Sequence, residues 1–367
     1  MSTPSDPLAL ELLDWYRPHA RMLPWRSDPR PYYVLLSELM CQQTRVETAL
    51  PYFERFIARW PTLEDFARAE EDQVVLEWAG LGYYSRARNL LKAARAAVER
   101  GGIPHDPEQL RALPGIGPYT AGAIASIAFG IAEPAVDGNV ERVLSRVDGR
   151  QEDPKSPAGA AALYERAKGL LEGVPAGDLN QALMELGARV CTPRNPNCAA
   201  CPWAGSCVAE ASGSPQDLPN KKKKAPPTVI RAVAGIWSQQ GAVLCGQRPP
   251  GLLGGMWEPI SAACEGDPAT TLSAAFLEKT GLKVKVGQRL GEVLHIFSHR
   301  RLTLEVYEIR GASGVPSALS DYEAVDWVDA AQPHVALSTL ARKTLALAQP
   351  QQPELQWLAA EVDDDAC

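Results

Sequence analysis

Residues 113–139, LPGIGPYTAGAIASIAFGIAEPAVDGN, decide how this chain is read. The opening Leu-Pro-Gly-Ile-Gly-Pro predicts a turn in which Gly115 and Gly117, lacking a Cβ, leave backbone N–H groups uncovered. A small-residue helix is expected from Tyr119 to about Phe129, its positive N-terminal end facing that turn. Uncovered N–H groups at a helix N-terminus make a place for a phosphate. Asp137 follows in Val136-Asp137-Gly138-Asn139, just ahead of another helical run. The stretch suggests a DNA phosphate held at one end and a carboxylate aimed at the neighbouring sugar. A plain packing element of two helices and a turn fits the same pattern.

Downstream, a helix over 139–150 carries Arg142, Arg146 and Arg150 as a basic edge, and helices at about 157–172 and 178–190 lead into four cysteines. Cys191, Cys198, Cys201 and Cys207 are spaced C-x6-C-x2-C-x5-C. Thiolates this close repel one another unless a metal centre takes their charge. The N-terminal residues MSTPSDPLALELLDWYRPHA show no secretory pattern, so a disulfide framework is not expected. Zinc sites usually pair two short cysteine hooks. Four cysteines also suit a cubane 4Fe–4S cluster, one thiolate per iron, and the spacing leaves both open. Cys41, Cys245, Cys264 and Cys367 are scattered and read as ordinary thiols.

Upstream, a short helix is expected over 8–20 and helices across 32–60, with Pro51 near the start of the second. The first of these holds SELMCQQT, residues 37–44. Glu38 stands among Leu35, Leu36, Leu39 and Met40; burial there would raise its pKa and keep a proton available. A solvated helix glutamate is the alternative. Gln42, Gln43 and Thr44 form a hydrogen-bonding edge suited to bases, or an ordinary surface. One helix is expected over 64–79. Residues 81–85 then form a loop into a helix from Arg86 to about Arg100. Tyr83 and Arg86 are candidates for stacking and phosphate contact, although tyrosine pairs also fill cores. No strand is expected before Glu210.

Residues 211–228, ASGSPQDLPNKKKKAPPT, have the composition of a linker. Its lysines are a solvated connector or a contact with DNA phosphates. From Val229 the apolar period becomes two, with strands expected at 229–238, 242–247, 283–286, 289–297 and 301–310 and helices near 268–280 and 334–347. The expected organisation is an all-α region over 1–210, a linker over 211–228, an α+β domain over 229–350 and an acidic tail over 351–367. A length of 367 residues with 46% hydrophobic residues supplies cores for two domains. No apolar run is long enough to span a membrane. A net charge of −7 argues against a generic polyanion binder. That charge is uneven: 26 Lys and Arg oppose 28 Asp and Glu up to Lys224, leaving 11 against 16 beyond it. A near-neutral first part can still bind DNA where its cations cluster.

Residues 22–210 resemble the endonuclease III superfamily of base-excision glycosylases, in the helix–hairpin–helix at 113–122, the aspartate and the cysteine loop at 191–207. More narrowly, SELMCQQT, GLGYYSRARNL, LPGIGPYTAGAIAS, VDGNVERVLSR and NQALMELGARVCT resemble the MutY-type adenine DNA glycosylases. In the second domain GLLGGMWEP and Phe297-Ser298-His299 resemble that family's Nudix-like, 8-oxoguanine-reading domain, so the resemblance spans about residues 8–347. It implies excision of adenine opposite 8-oxoguanine or guanine in duplex DNA, a 4Fe–4S cluster on the four cysteines, and a monomer working in the cytoplasm at the nucleoid. It further implies Glu38 as general acid and then base, Asp137 stabilising the oxocarbenium ion, and Tyr119 and Asn139 positioning water and carboxylates. By the same resemblance Gln43 and Tyr83 fill the gap left by a flipped base, and Phe297, Ser298 and His299 touch 8-oxoguanine.

Superfamily relatives that also cut the strand carry a lysine where this chain has Tyr119, and no lysine occurs between Lys92 and Lys155. A monofunctional glycosylase without a Schiff-base amine is therefore expected. The stretch matching the Nudix magnesium box, Ala274 to Leu282, has alanines for its arginine and first glutamate, and Lys279 for one of the paired glutamates. Pyrophosphohydrolysis is not expected. A thymine-excising enzyme and a non-catalytic lesion binder remain as alternatives.

Overall fold

The computed structural model describes residues 5–220, 227–249, 251, 253–297 and 300–348. Its first part is helical: α1 (Pro7–His19), α2 (Pro24–Ser27), α3 (Pro31–Cys41), α4 (Val46–Arg59), α5 (Leu63–Ala67), α6 (Glu71–Glu77), α7 (Ser85–Glu99), α8 (Pro107–Arg111), α9 (Pro118–Phe129), α10 (Gly138–Val147), α11 (Pro157–Leu170), α12 (Ala176–Arg189) and α13 (Val208–Ala211). Local chemistry sets many of the starts. Proline opens α1, α3, α8, α9 and α11, where its fixed φ suits the first turn and its missing N–H costs nothing. Asp6, Thr62, Asp106 and Ser156 accept backbone N–H groups as N-caps.

The structure departs from the sequence expectations in three helical places. The expected helix over 64–79 is two, α5 and α6, because Arg95 of α7 takes up the carbonyls of Ala67 and Ala69 at 3.0 and 2.8 Å and ends α5 there. Pro51 lies in the second turn of α4 rather than near its start. The basic edge of α10 is not an edge, since Arg142 and Arg146 are buried. A core of Leu12, Leu144, Leu163, Leu179, Leu183 and Trp203 joins α1, α10, α11 and α12 to the cysteine loop.

The contacts divide the chain into two compact units. One holds the helical chain without α6. The other holds the described chain after the lysine run together with Glu70–Tyr84.

The second unit contains β1 (Thr228–Ile236), β2 (Ser238–Gln239), β3 (Ala242–Gln247), β4 (Trp257–Pro259), β5 (Ser261–Ala263), α14 (Pro268–Thr280), β6 (Lys283–Phe297), β7 (Arg300–Ser313), β8 (Ala324–Asp329) and α15 (Thr339–Ala346). One sheet has the order β5-β1-β7-β6; the other has β2-β3-β4, with β8 also on β3. β1 runs parallel to β7, and β6 and β7 form an antiparallel ribbon ending at Phe297 and Arg300. The two strands expected at 283–286 and 289–297 are one, because the irregularity between them is a run of register shifts inside β6. The strand expected over 229–238 ends at Ile236 as β1, and the short strands β2, β4 and β5, and β8, were not anticipated. Helix α15 starts at Thr339, capped by Ser338, later than the expected 334.

Candidate active site and cysteine centre

The turn between α8 and α9 is anchored by buried Leu113 and Ile116, while Gly115 and Gly117 are exposed. Gly115 has φ +75°, and a Cβ there would come within 2.5 Å of Asn89. Glycine is thus required by both backbone and space. Helix α9 then places Tyr119 in its first turn.

Tyr119 Oη donates to Glu38 Oε2 of α3 at 2.5 Å and approaches Met184 Sδ of α12 at 3.7 Å. Glu38 is buried, 9% exposed. Burial pushes its carboxyl up to about 7, opposed by the Tyr119 hydroxyl and reinforced by the charge of Asp137. The environment of Asp137 differs. It caps α10, its Oδ1 accepting the N–H of Asn139 (2.9 Å) and Val140 (2.8 Å), and its Oδ2 accepting Asn139 Nδ2 at 2.9 Å. Burial raises its pKa too, but these donors and the Arg142 charge pull it back. One carboxyl therefore has a single hydroxyl donor and the other three N–H donors.

Gln42 Nε2 donates to Thr120 Oγ1 at 3.2 Å, tying the end of α3 to α9. Gln43 is exposed with φ +54°, a left-handed backbone rare outside glycine. Arg86 does not sit on a phosphate-binding edge as expected: it is 7% exposed. Its guanidinium donates to the carbonyls of Leu39 and Met40 at 2.9 Å each, to that of Gln42, and to Thr44 Oγ1 at 3.1 Å. It closes the carboxyl end of α3 and fixes the 42–44 turn from below. In the second unit, Tyr83 is 48% exposed with φ +47°. Phe297 ends β6 against the His295 ring at 4.5 Å, while Ser298 and His299 lie outside the described residues.

Arg142 and Arg146 emerge as site residues that sequence reasoning took for surface. Arg142 donates to Asn139 Oδ1 (2.9 Å), the Gly187 carbonyl (2.8 Å) and the Cys191 carbonyl (2.7 Å). Arg146 donates to the carbonyls of Thr192 (2.7 Å) and Pro193 (2.8 Å) and to Cys191 Sγ at 3.3 Å. The available signal was their fourfold spacing inside a helix whose apolar residues, Val140, Val143, Leu144 and Val147, claim the adjacent positions. Glu185 was also missed: wholly buried, it takes Arg21 at 2.8 Å and Arg26 at 2.8 Å.

The four cysteines line one cavity with Arg146 and Trp203. Burial, reinforced by the three neighbouring thiols, pushes the Cys201 thiol up to about 11. Among the described residues, no three His, Cys, Asp or Glu side chains converge as ligands of a single ion. Four separate thiols around a shared space suit a cluster that gives each sulfur its own iron, and the buried Arg146 guanidinium offsets their charge.

Three family models match in sequence: the HhH-GPD superfamily base excision DNA repair protein over residues 36–167, the iron–sulfur binding domain of endonuclease III over 191–207, and the NUDIX domain over 232–347. The chain is 37% identical to the adenine DNA glycosylase of Homo sapiens across 93% of its own length and 74% of that protein. It is 40% identical to the adenine DNA glycosylase of Mus musculus across 81% and 69%. Among solved structures, a thermostable thymine-DNA glycosylase is similar with a TM-score of 0.52 and 27% identity, over 56% of this chain and 95% of that one.

Proposed function

The chain belongs to the adenine DNA glycosylases of base excision repair, and on that premise we propose that it flips and excises adenine mispaired with 8-oxoguanine or guanine in duplex DNA. It is a hydrolase of N-glycosidic bonds that carries a 4Fe–4S cluster on Cys191, Cys198, Cys201 and Cys207. When bound, the cluster would take up the charge of the four thiolates.

The observation that carries the reading is the pair of unlike carboxyls, Glu38 raised to about 7 beside Tyr119 and Asp137 held by three N–H donors. Adenine leaves poorly as an anion. Glu38, protonated near neutral pH, donates to a ring nitrogen of the flipped base. As the bond breaks, positive charge develops on the deoxyribose, and the ionised Asp137 carboxylate stabilises it. Glu38, now a carboxylate, accepts a proton from the attacking water, which Tyr119 and Asn139 orient. Tyr119 offers no amine, so no Schiff base forms and the strand stays intact.

The exposed hairpin turn at Gly115 and Gly117 grips a backbone phosphate. Gln42, Gln43 and Thr44 face the opened pair, and Gln43 fills the gap. Arg86 supports the 42–44 turn instead of contacting phosphate. Phe297, Ser298 and His299 read the orphan 8-oxoguanine, and the protein acts as a monomer. Similarity of the helical part to a thymine-DNA glycosylase supports a second reading, thymine excision from T:G pairs.

Single-turnover excision on A:8-oxoguanine, A:G and T:G duplexes tests both. Adenine release, with strand breaks only after alkali, is expected. Thymine release, or breaks without alkali, would overturn the reading of the Tyr119 pocket.

A further inference from the structure

Between α9 and α10 the chain has no regular secondary structure, yet this is the stretch that delivers Asp137. Gly130 ends α9 in the left-handed region, φ +69°, and the Ile131 N–H returns to the Ala125 carbonyl at 3.0 Å. The chain then doubles back along α9. At Gly122 the contact is so close that a Cβ would stand 2.0 Å from the Pro134 carbonyl oxygen.

Asn180 of α12, with no exposure at all, pins the same strap. Its Nδ2 donates to the Glu133 carbonyl at 2.9 Å and to Ser126 Oγ at 2.8 Å, and its Oδ1 accepts the Ala135 N–H at 3.1 Å. It therefore holds the backbone on both sides of Pro134. Ser126 Oγ donates in turn to the Gly122 carbonyl at 2.7 Å, so the amide is locked in orientation. The Glu133 side chain is fixed separately, by Tyr164 Oη at 3.1 Å and Arg111 at 3.3 Å. Four helices, α8, α9, α11 and α12, thus converge on a six-residue strap whose next residue is Asp137.

We propose that Asn180 is a positioning residue for the Asp137 carboxylate, acting on the cation-forming step and not on DNA binding. This rests on the reading of Asp137 given above. A packing role alone would not need an amide: an apolar residue would fill the same space without a polar group to satisfy. The amide is used because strap groups on either side of Pro134 present a donor and an acceptor that no helix or sheet supplies. Releasing them lets the strap shift, and a displacement of about 1 Å in a catalytic group costs on the order of a hundredfold in rate.

The test uses the full-length protein and two duplexes, each with a sugar analogue at the target position: a cationic pyrrolidine and a neutral tetrahydrofuran. Asn180→Leu removes all three hydrogen bonds. Asn180→Asp keeps the acceptor and the shape. Phe56→Leu, in the core of α4, serves as a control of reduced thermal stability. Wild type should bind the cationic duplex about a hundredfold tighter than the neutral one, because only the cation resembles the transition state. Both Asn180 variants should lose most of that preference, and about as much in single-turnover rate, while tetrahydrofuran affinity stays within about twofold. Phe56→Leu should keep the preference. A retained preference in the Asn180 variants, or equal loss of both affinities, overturns the proposal. Absence of the preference in wild type overturns the Asp137 reading itself, and this proposal with it.

Discussion

Glu38, the proposed general acid, also carries a stability cost. In the folded protein burial pushes its carboxyl up to about 7, whereas the unfolded carboxyl releases its proton near 4.5. Between those limits the folded state binds more protons, so stability from this group falls as pH rises through the window. The difference amounts to roughly 3 kcal/mol. Glu38→Gln has no proton to lose. In urea titrations its stability relative to wild type should rise from pH 5 to pH 8 by up to that amount, while adenine excision is lost and mismatch DNA still binds. Equal stability difference at both pH values would remove the raised pKa. For wild type, the excision rate should decline above about pH 7 as the acid form disappears.

At the scale of elements, α3 matters for its end. Helices usually close on glycine or a local cap, but α3 closes on Arg86, which gathers the carbonyls of Leu39, Met40 and Gln42. Arg86→Met should destabilise the protein by about 3 kcal/mol, since buried carbonyls lose a charged donor. It should also weaken mismatch binding through a loosened 42–44 turn, measured by denaturation and by titration with the A:8-oxoguanine duplex. A variant of full stability and normal affinity would return Arg86 to the surface role first expected.

The same helices show what was legible. The hairpin at 113–118, the α9 helix and the four-cysteine loop were readable because glycine, proline and cysteine spacing are local signals. Glu38 among leucines was legible only as a choice between a buried and a solvated acid, and the fold buries it. Arg86, Arg142, Arg146 and Glu185 were not, because a buried charge is decided by partners 42 to 164 residues away, such as Thr44 for Arg86 and Arg21 for Glu185. Sequence period marks which positions face inward. It does not show which charged residue will find carbonyls there.

Across the whole molecule, the proposed function divides between the two compact units: chemistry is proposed for Glu38 and Asp137, lesion reading for Phe297, Ser298 and His299. Phe297→Ala and Ser298→Ala should therefore reduce the preference for A:8-oxoguanine over A:G by about tenfold, with little change in the A:G excision rate. Equal loss on both substrates would place the tip outside lesion reading. The net charge of −7 is unevenly spread, with acidity weighted beyond Lys224. One packing detail has a genetic meaning. Gly122 lies so close to the Pro134 carbonyl that no Cβ fits, and every missense change of a glycine codon introduces one. Such a codon begins with two guanines, the base whose oxidation this protein is proposed to guard against. A guanine-to-thymine transversion at either would disable the strap beneath Asp137. The protein would then be protecting the very letters that spell this close approach.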